Sequence, residues 1–384
     1  MKKILAMCSV AVLCLASLAG CGSAKSGDTS AIKIGGSGPL TGEYAIYGNA
    51  AKQGAEIAVE EINKAEGTTF FELKYEDDQG DPELAVNAYN KLKDSGMKIS
   101  LGGVTSGACA AFAAEANKDK IFTLTPSASS PTVNEGYDNI FQMCFSDPNQ
   151  GVASADYIST KFAGAKVGVI YQNDLDYSKG IYDKFAAEAK VKNIEVVSVQ
   201  TFTKDSQNDF KTQINNLKAA GADLVFLPIY YTPASLILNQ AKNQCDYAPA
   251  NGYFGVDGMD GILTLENFDT SLAEGVMLLT PFSADATDTK TANFVSQYKE
   301  KYNEVPNQFA ADAYDAIYAL YNAVKGGKVT ADMSLDDINA ALISQFTSMK
   351  FDGITGTGTT WNSNGYVSKE PKAVVIKNGA YVGM

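Results

Sequence analysis

A strand-like run recurs about every thirty residues along this chain, and each is followed by a segment with helical periodicity. "AIKIGGSG" leads into "AAKQGAEIAVEEINKA", where Ala51, Ala55, Ala58, Val59 and Ile62 fall on one helical face. "FELKYEDD" leads into "PELAVNAYNKLKDSG", opened by Asp81 as N-cap and Pro82 as first helical residue and closed by Gly96. "KISLGGV" then precedes "GACAAFAAEANK", and "IFTLT" precedes "SSPTVNEG". After "FSDPNQG" the series restarts at "KVGVIYQ" and "SKGIYDKFAAEAK" and continues to "YFGVDG" and "EGVMLLTPF". Alternation of this kind demands parallel strands with helices on both faces, because each strand must be followed by a crossover that places the next. Two series predict an α/β chain of two doubly wound, parallel-sheet lobes. Helical stretches at 289–303, 307–325 and 334–346 follow, and the tail from Gly353 reads as turns and short strands.

The N-terminus has a different logic. "MKK" is a positive n-region, "ILAMCSVAVLCLASLA" an apolar h-region too short to span a bilayer stably, and "LAGC" a small-residue cleavage site ending at Cys21. The stretch resembles a bacterial lipoprotein signal, which implies a signal peptide over 1–20, acylation of Cys21, and a mature chain held outside the cytoplasm at the cell membrane. "GSAKSGDTS" is small and polar, as a tether over 21–30 should be.

Composition removes whole classes of chemistry. The chain holds no histidine and no arginine, and its formal net charge is −13. Without histidine there is no Ser-His or Cys-His nucleophile pair and no imidazole metal site. Without arginine no bidentate clamp can hold a carboxylate or phosphate. An anion must be met by backbone N–H groups, hydroxyls or lysine. So acidic a body argues against nucleic acid and against a polybasic membrane surface. Apart from Cys21, the mature region keeps Cys109, Cys144 and Cys245, too scattered for a metal motif and read as buried free thiols, with a Cys109–Cys144 bridge as the alternative. Neither a metal nor a cofactor is expected, and a hydrolase would need a Ser-Lys pair that the sequence does not assign.

In open α/β sheets ligands bind beyond the carboxyl ends of the strands. Those ends carry "SGPLTGEYAIYGN", "VTSGACA", "TPSASSP", "QNDLDYSKG", "IYYTP" and "VDGMDG", rich in hydroxyls, tyrosines and glycines. Ser106 stands where a strand turns into a helix, and Ser127 and Ser129 precede Ser130-Pro131, another helix start. Helix N-termini carry free N–H groups and partial positive charge, so these serines serve either as caps or as contacts to a carboxylate. Asp257, followed by Gly258, serves either as a turn residue or as a buried acceptor for an ammonium, while Asp260 reads as a simple N-cap. Tyr44, Tyr47, Tyr177, Tyr230, Tyr231 and Phe309 can wall an apolar pocket. "DLDYSKG" begins like a calcium loop but has Lys179 where glycine is required and Phe185 where the bidentate glutamate belongs.

Taken in order, "IKIGGSGPLTGEYAIYGNAAKQGAEIAVEEIN", "YEDDQGDPELAVNAYNKL", "GGVTSGACAA", "TLTPSASSP", "VGVIYQNDLDYSKG", "GADLVFLPIYYTPASLILNQAK", "FGVDGMDG" and "FDGITGTGTTWNSNG" resemble the branched-chain amino acid ABC transporter substrate-binding proteins, of the leucine/isoleucine/valine-binding type. The resemblance implies the type I periplasmic binding protein fold, two lobes hinged by three crossovers near 146–151, 279–283 and 349–356. One lobe would hold 31–147 and 282–350, the other 148–281 and 351–384. It implies that the ligand carboxylate meets Ser106, Ser127 and Ser129, that the ammonium meets Ser127, Ser129 and Asp257, and that Tyr47, Tyr177, Tyr231 and Phe309 surround the side chain. The partners implied are an amino acid, branched-chain or aliphatic, and an ABC permease with its ATPase subunits, served by a monomeric, lipid-anchored receptor that is not an enzyme. The same family takes aromatic acids, aliphatic amides and urea, and a sensory role is the remaining alternative. Two departures stand out. Several relatives have glutamate at Asp257, and some carry a disulfide between the positions of Gly80 and Thr105.

Overall fold

The computed structural model describes residues 31–384. The expected signal peptide, Cys21 and the tether lie outside the described residues.

The first series runs β1 (Ile32–Gly38), α1 (Ala45–Glu66), β2 (Phe71–Asp77), α2 (Pro82–Asp94), β3 (Ile99–Gly102), α3 (Ser106–Lys118), β4 (Thr123–Thr125) and β5 (Ile140–Gln142). Its strands form a wholly parallel five-stranded sheet in the order β2-β1-β3-β4-β5. The second series runs α4 (Asp147–Lys161), β6 (Lys166–Gln172), α5 (Asp176–Val191), β7 (Glu195–Phe202), α6 (Lys211–Ala219), β8 (Leu224–Leu227), α7 (Tyr231–Asn243), β9 (Tyr253–Gly255) and β10 (Met277–Thr280). Then come α8 (Thr289–Tyr302), α9 (Gln308–Gly327), α10 (Leu335–Phe346) and a terminal pair, β11 (Lys372–Lys377) and β12 (Ala380–Gly383). The second sheet has seven strands in the order β12-β11-β10-β9-β8-β6-β7.

Local chemistry explains the elements. The predicted apolar stripe of α1 is buried at Ala51, Ala55, Ala58, Val59 and Ile62. Asp81 accepts from the N–H groups of Glu83 and Leu84 at 2.8 and 3.0 Å, and Gly96 closes α2 in the left-handed region at φ +87°. Strand β8, "LVFL", is buried along its whole length, as a parallel strand covered on both faces must be. Helix α9 returns from the second series to pack on α1, with α10 against α9. That close approach needs Gly54, where a Cβ would fall 1.9 Å from the Ala310 carbonyl oxygen.

Three expectations change. The segment "SSPTVNEG" forms only a short 3-10 turn at Pro131–Val133, since Gly136 at φ +85° ends it before a helix can nucleate. The next run, "IFQ", is a strand that the alternation did not call for, because no helix separates it from β4. The second sheet is mixed: β11 pairs antiparallel with both β10 and β12. Cys109, Cys144 and Cys245 are free and buried, and burial pushes the Cys109 thiol up to about 12. No helix among the described residues is long and apolar enough to cross a membrane.

Candidate functional site

Five helices begin around one cavity. Tyr47 is in the first turn of α1, Ser106 opens α3, Tyr177 is in the first turn of α5, Tyr230 immediately precedes α7, and Phe309 is in the first turn of α9. With Val104, Thr105, Ser127, Ser129, Asp257 and Gly258 they line a tight cavity of about 10 Å³. That is room for about one water, so a larger solute enters only when the walls part. Converging N-termini direct unsatisfied N–H groups and partial positive charge toward it.

Helix α3 is the clearest anion-facing end. It has no acidic residue in its first turn, its N-cap Thr105 makes no side-chain cap, and the Thr105 hydroxyl is buried with no partner in the protein. The hydroxyls around it hold the two loops together: Ser127 Oγ donates to the Val104 carbonyl at 3.0 Å, Ser106 Oγ accepts the Ser130 N–H at 3.2 Å, and Thr125 Oγ1 donates to the Gly103 carbonyl at 2.8 Å. Loops fastened this way present their remaining polar groups in fixed positions, as tight recognition requires.

Asp257 lies across the cavity, 4% exposed, at the start of a short 3-10 turn after β9. Burial pushes its carboxyl up to about 7, against the hydrogen bond donated by Tyr177, and Asp312 raises it further. Gly258 is needed here: a Cβ would lie 2.5 Å from the Tyr177 hydroxyl and 2.8 Å from the Tyr230 ring. A buried carboxylate with no cation beside it is the complement of an ammonium group.

The aromatic wall differs from expectation at two positions, since neither Tyr44 nor Tyr231 lines the cavity. Tyr230, not Tyr231, lines the cavity, its ring stacked on Tyr177 at 4.6 Å. Tyr231 sits behind Tyr47, 4.7 Å between ring centroids, and its hydroxyl donates to the Glu43 carbonyl at 2.7 Å. Two adjacent tyrosines at a helix start are interchangeable in sequence, and only the first residue of α7 decides between them. Tyr47, Ser106, Ser127, Ser129, Tyr177, Asp257 and Phe309 all line the cavity. Thr105 lines it as well and was not predicted, since a threonine before a helix reads as an ordinary cap.

Contacts bridge the cavity's two sides. The Tyr47 hydroxyl donates to the Gly258 carbonyl, and Gln308 Nε2 donates to the Asp257 carbonyl at 2.8 Å. Asp260 is not the N-cap of its own helix. Its Oδ2 accepts the Gln308 N–H at 2.9 Å, so it serves the first turn of α9 from across the fold. The calcium-like loop is used otherwise: Asp174 accepts the Lys204 N–H at 3.0 Å and Ser178 Oγ donates to the Pro228 carbonyl at 2.6 Å. Gly80 and Thr105 lie side by side, a Cβ on the glycine being 3.5 Å from Thr105 Oγ1.

Comparison with known proteins places this geometry in context. A family model described as periplasmic binding protein matches residues 31–380. A Leu/Ile/Val-binding protein homolog of Brucella melitensis is 30% identical over 304 residues, 78% of this chain and 80% of the relative. The branched-chain amino acid transporter substrate-binding protein of Streptococcus pneumoniae, solved with isoleucine, superposes with a TM-score of 0.80 at 30% identity, covering 92% of this chain and 98% of that one. A solute-binding protein of Rhodopseudomonas palustris solved with benzoate shares the fold, with a TM-score of 0.79 at 22% identity and coverage of 92% and 96%.

Proposed function

Because the chain belongs to the periplasmic binding protein family, as a substrate-binding protein of the branched-chain amino acid ABC transporter type, we propose that it captures a small aliphatic α-amino acid and delivers it to a membrane permease. One observation carries the reading. The cavity has an anion-seeking end, at the α3 N-terminus with Thr105, Ser106, Ser127 and Ser129, and a cation-seeking end at Asp257, with Tyr47, Tyr177, Tyr230 and Phe309 as apolar wall. That is the charge pattern of a zwitterion with a hydrocarbon side chain.

In this account the ligand carboxylate takes the N–H groups and hydroxyls of the α3 end, and its ammonium takes Asp257, Ser129 and the Ser127 carbonyl. No bond is made or broken. The lobes, 31–147 with 282–350 and 148–281 with 351–384, hinge at the three crossovers, and ligand favours the closed arrangement that the permease recognises. Acylation of Cys21 keeps this monomer at the outer face of the cell membrane. Benzoate, the ligand of the Rhodopseudomonas palustris protein, brings no cation to Asp257, and this disfavours it here.

A thermal-shift screen of the purified protein against the twenty amino acids, benzoate, urea and small amides tests the reading. Ligand at a hundred times its dissociation constant adds about 2.7 kcal/mol of stability. The expected result is a shift with leucine, isoleucine or valine. A shift with benzoate or amides alone contradicts it.

A further inference from the structure

Three buried polar side chains that this site leaves unexplained share one stripe of α4. Asp147, Gln150 and Ser154 stand at i, i+3 and i+7, and each is 0% exposed. Both carboxylate oxygens of Asp147, Gln150 Nε2 and Ser154 Oγ have no hydrogen-bond partner in the protein. Burying a carboxyl without a partner is costly, and such groups persist where something polar is to be met.

Asp147 is tied to the cavity from two directions. Its N–H donates to the carbonyl of Ser129, a cavity residue, at 3.0 Å. One turn further along α4, Gln150 Oε1 accepts the N–H of Asp257 at 3.2 Å. Burial holds the Asp147 carboxyl well above the usual carboxylate range, and the Ser129 hydroxyl beside it offsets only part of that. The titratable groups facing Asp147 are Asp257 from the turn after β9, Asp176 from α5, Tyr230 beside α7, Tyr366 from the tail, and Cys144 after β5. None of them is a cation. Among the described residues no cation compensates Asp147.

We propose that Asp147, buried behind Ser129 and outside the cavity lining, is a second acid that favours a ligand ammonium bound at Asp257. The inference rests on the amino acid reading above and sharpens its substrate class: ligands with a free α-ammonium are taken, and the same acids without the amine are refused. Asp147 acts through Ser129 as a positioning and charge-complementing residue. The absence of a compensating cation has a further consequence. Without ligand the carboxyl is a burden on the fold, so its removal stabilises the protein while weakening binding, the reverse of what loss of a structural residue does.

The test compares wild type with Asp147→Asn by calorimetric titration and by melting without ligand, using L-leucine, L-isoleucine, L-valine and L-alanine singly, and 4-methylpentanoic acid as leucine without its amine. The expected result is at least a tenfold loss of amino acid affinity in Asp147→Asn, a smaller preference for leucine over 4-methylpentanoic acid, and a higher melting temperature without ligand. Unchanged affinity and preference overturn the proposal and leave the amino acid reading intact. A variant that melts lower or fails to fold makes Asp147 structural and also overturns it. Wild type that binds none of the four amino acids overturns both.

Discussion

The Tyr177 hydroxyl stands between Asp257 and Gly258, donating to the Asp257 carboxyl and accepting the Gly258 N–H at 2.9 Å. One phenol thus fixes the orientation of the carboxyl and anchors the turn that carries it. No cation pairs with Asp257 among the described residues, and burial pushes its carboxyl up to about 7. An ammonium favours the ionised carboxylate, so ligand capture and proton loss are linked at this residue.

Affinity for an amino acid should depend on pH. Only the ionised carboxylate pairs with ammonium, so below the Asp257 pKa of about 7 the dissociation constant should rise roughly tenfold per pH unit, and above it the curve should flatten. Titrations from pH 5 to 8 check this, and Asp257→Asn should abolish the slope.

Stability without ligand should run the other way. Burial raises Asp78, Asp260 and Asp312 to about 6 and Asp257 to about 7. Each binds its proton more tightly folded than unfolded, so stability is fully present below the unfolded value of about 3.9 and falls as pH rises through the folded values. Melting temperature should therefore fall between about pH 4 and pH 7, and saturating amino acid should reduce that fall.

Lys369 lies 2.6 Å from Asp312 with side chains 1% and 3% exposed, and it also donates to Thr355, whose hydroxyl and N–H bind Asp315. This network fastens Ile354 and Thr355 to α9. Lys369→Met leaves Asp312 buried without its cation and should cost about 3–5 kcal/mol in denaturant unfolding. Replacing the pair by Lys369→Met with Asp312→Leu should recover most of that loss.

Gly258→Ala tests the tight approach at the turn. The added methyl meets Tyr177 and Tyr230, which should cost about 1–3 kcal/mol of stability. Moving Tyr177 off Asp257 should also weaken amino acid binding by about tenfold, the equivalent of ~1.4 kcal/mol. Calorimetry reads both.

The alternation of strand and helix made the fold legible, because parallel strands buried on both faces leave unbroken apolar runs such as "LVFL". Ser106, Ser127, Ser129 and Asp257 were legible as candidates for a simpler reason: each directly follows a strand, and the fold gathers strand ends. Other features depend on tertiary partners that no local pattern encodes. Tyr230 and Tyr231 are told apart only by where α7 starts. Asp260 looks like a local cap and serves α9 instead. Thr105 and Asp147 look like helix-start residues, and only burial without a partner separates them from ordinary caps. Strand β5 was missed because the short turn before it breaks the period that revealed the others.

The central claim is a zwitterion held between the α3 N-terminus and Asp257. The most direct measurement is calorimetric titration of wild type and Asp257→Ala with leucine, isoleucine and valine, each protein first shown to fold by its melting curve. The account predicts binding to wild type and a loss of 2–5 kcal/mol in the variant, about thirtyfold or more in affinity. Equal affinity in the two proteins would contradict it.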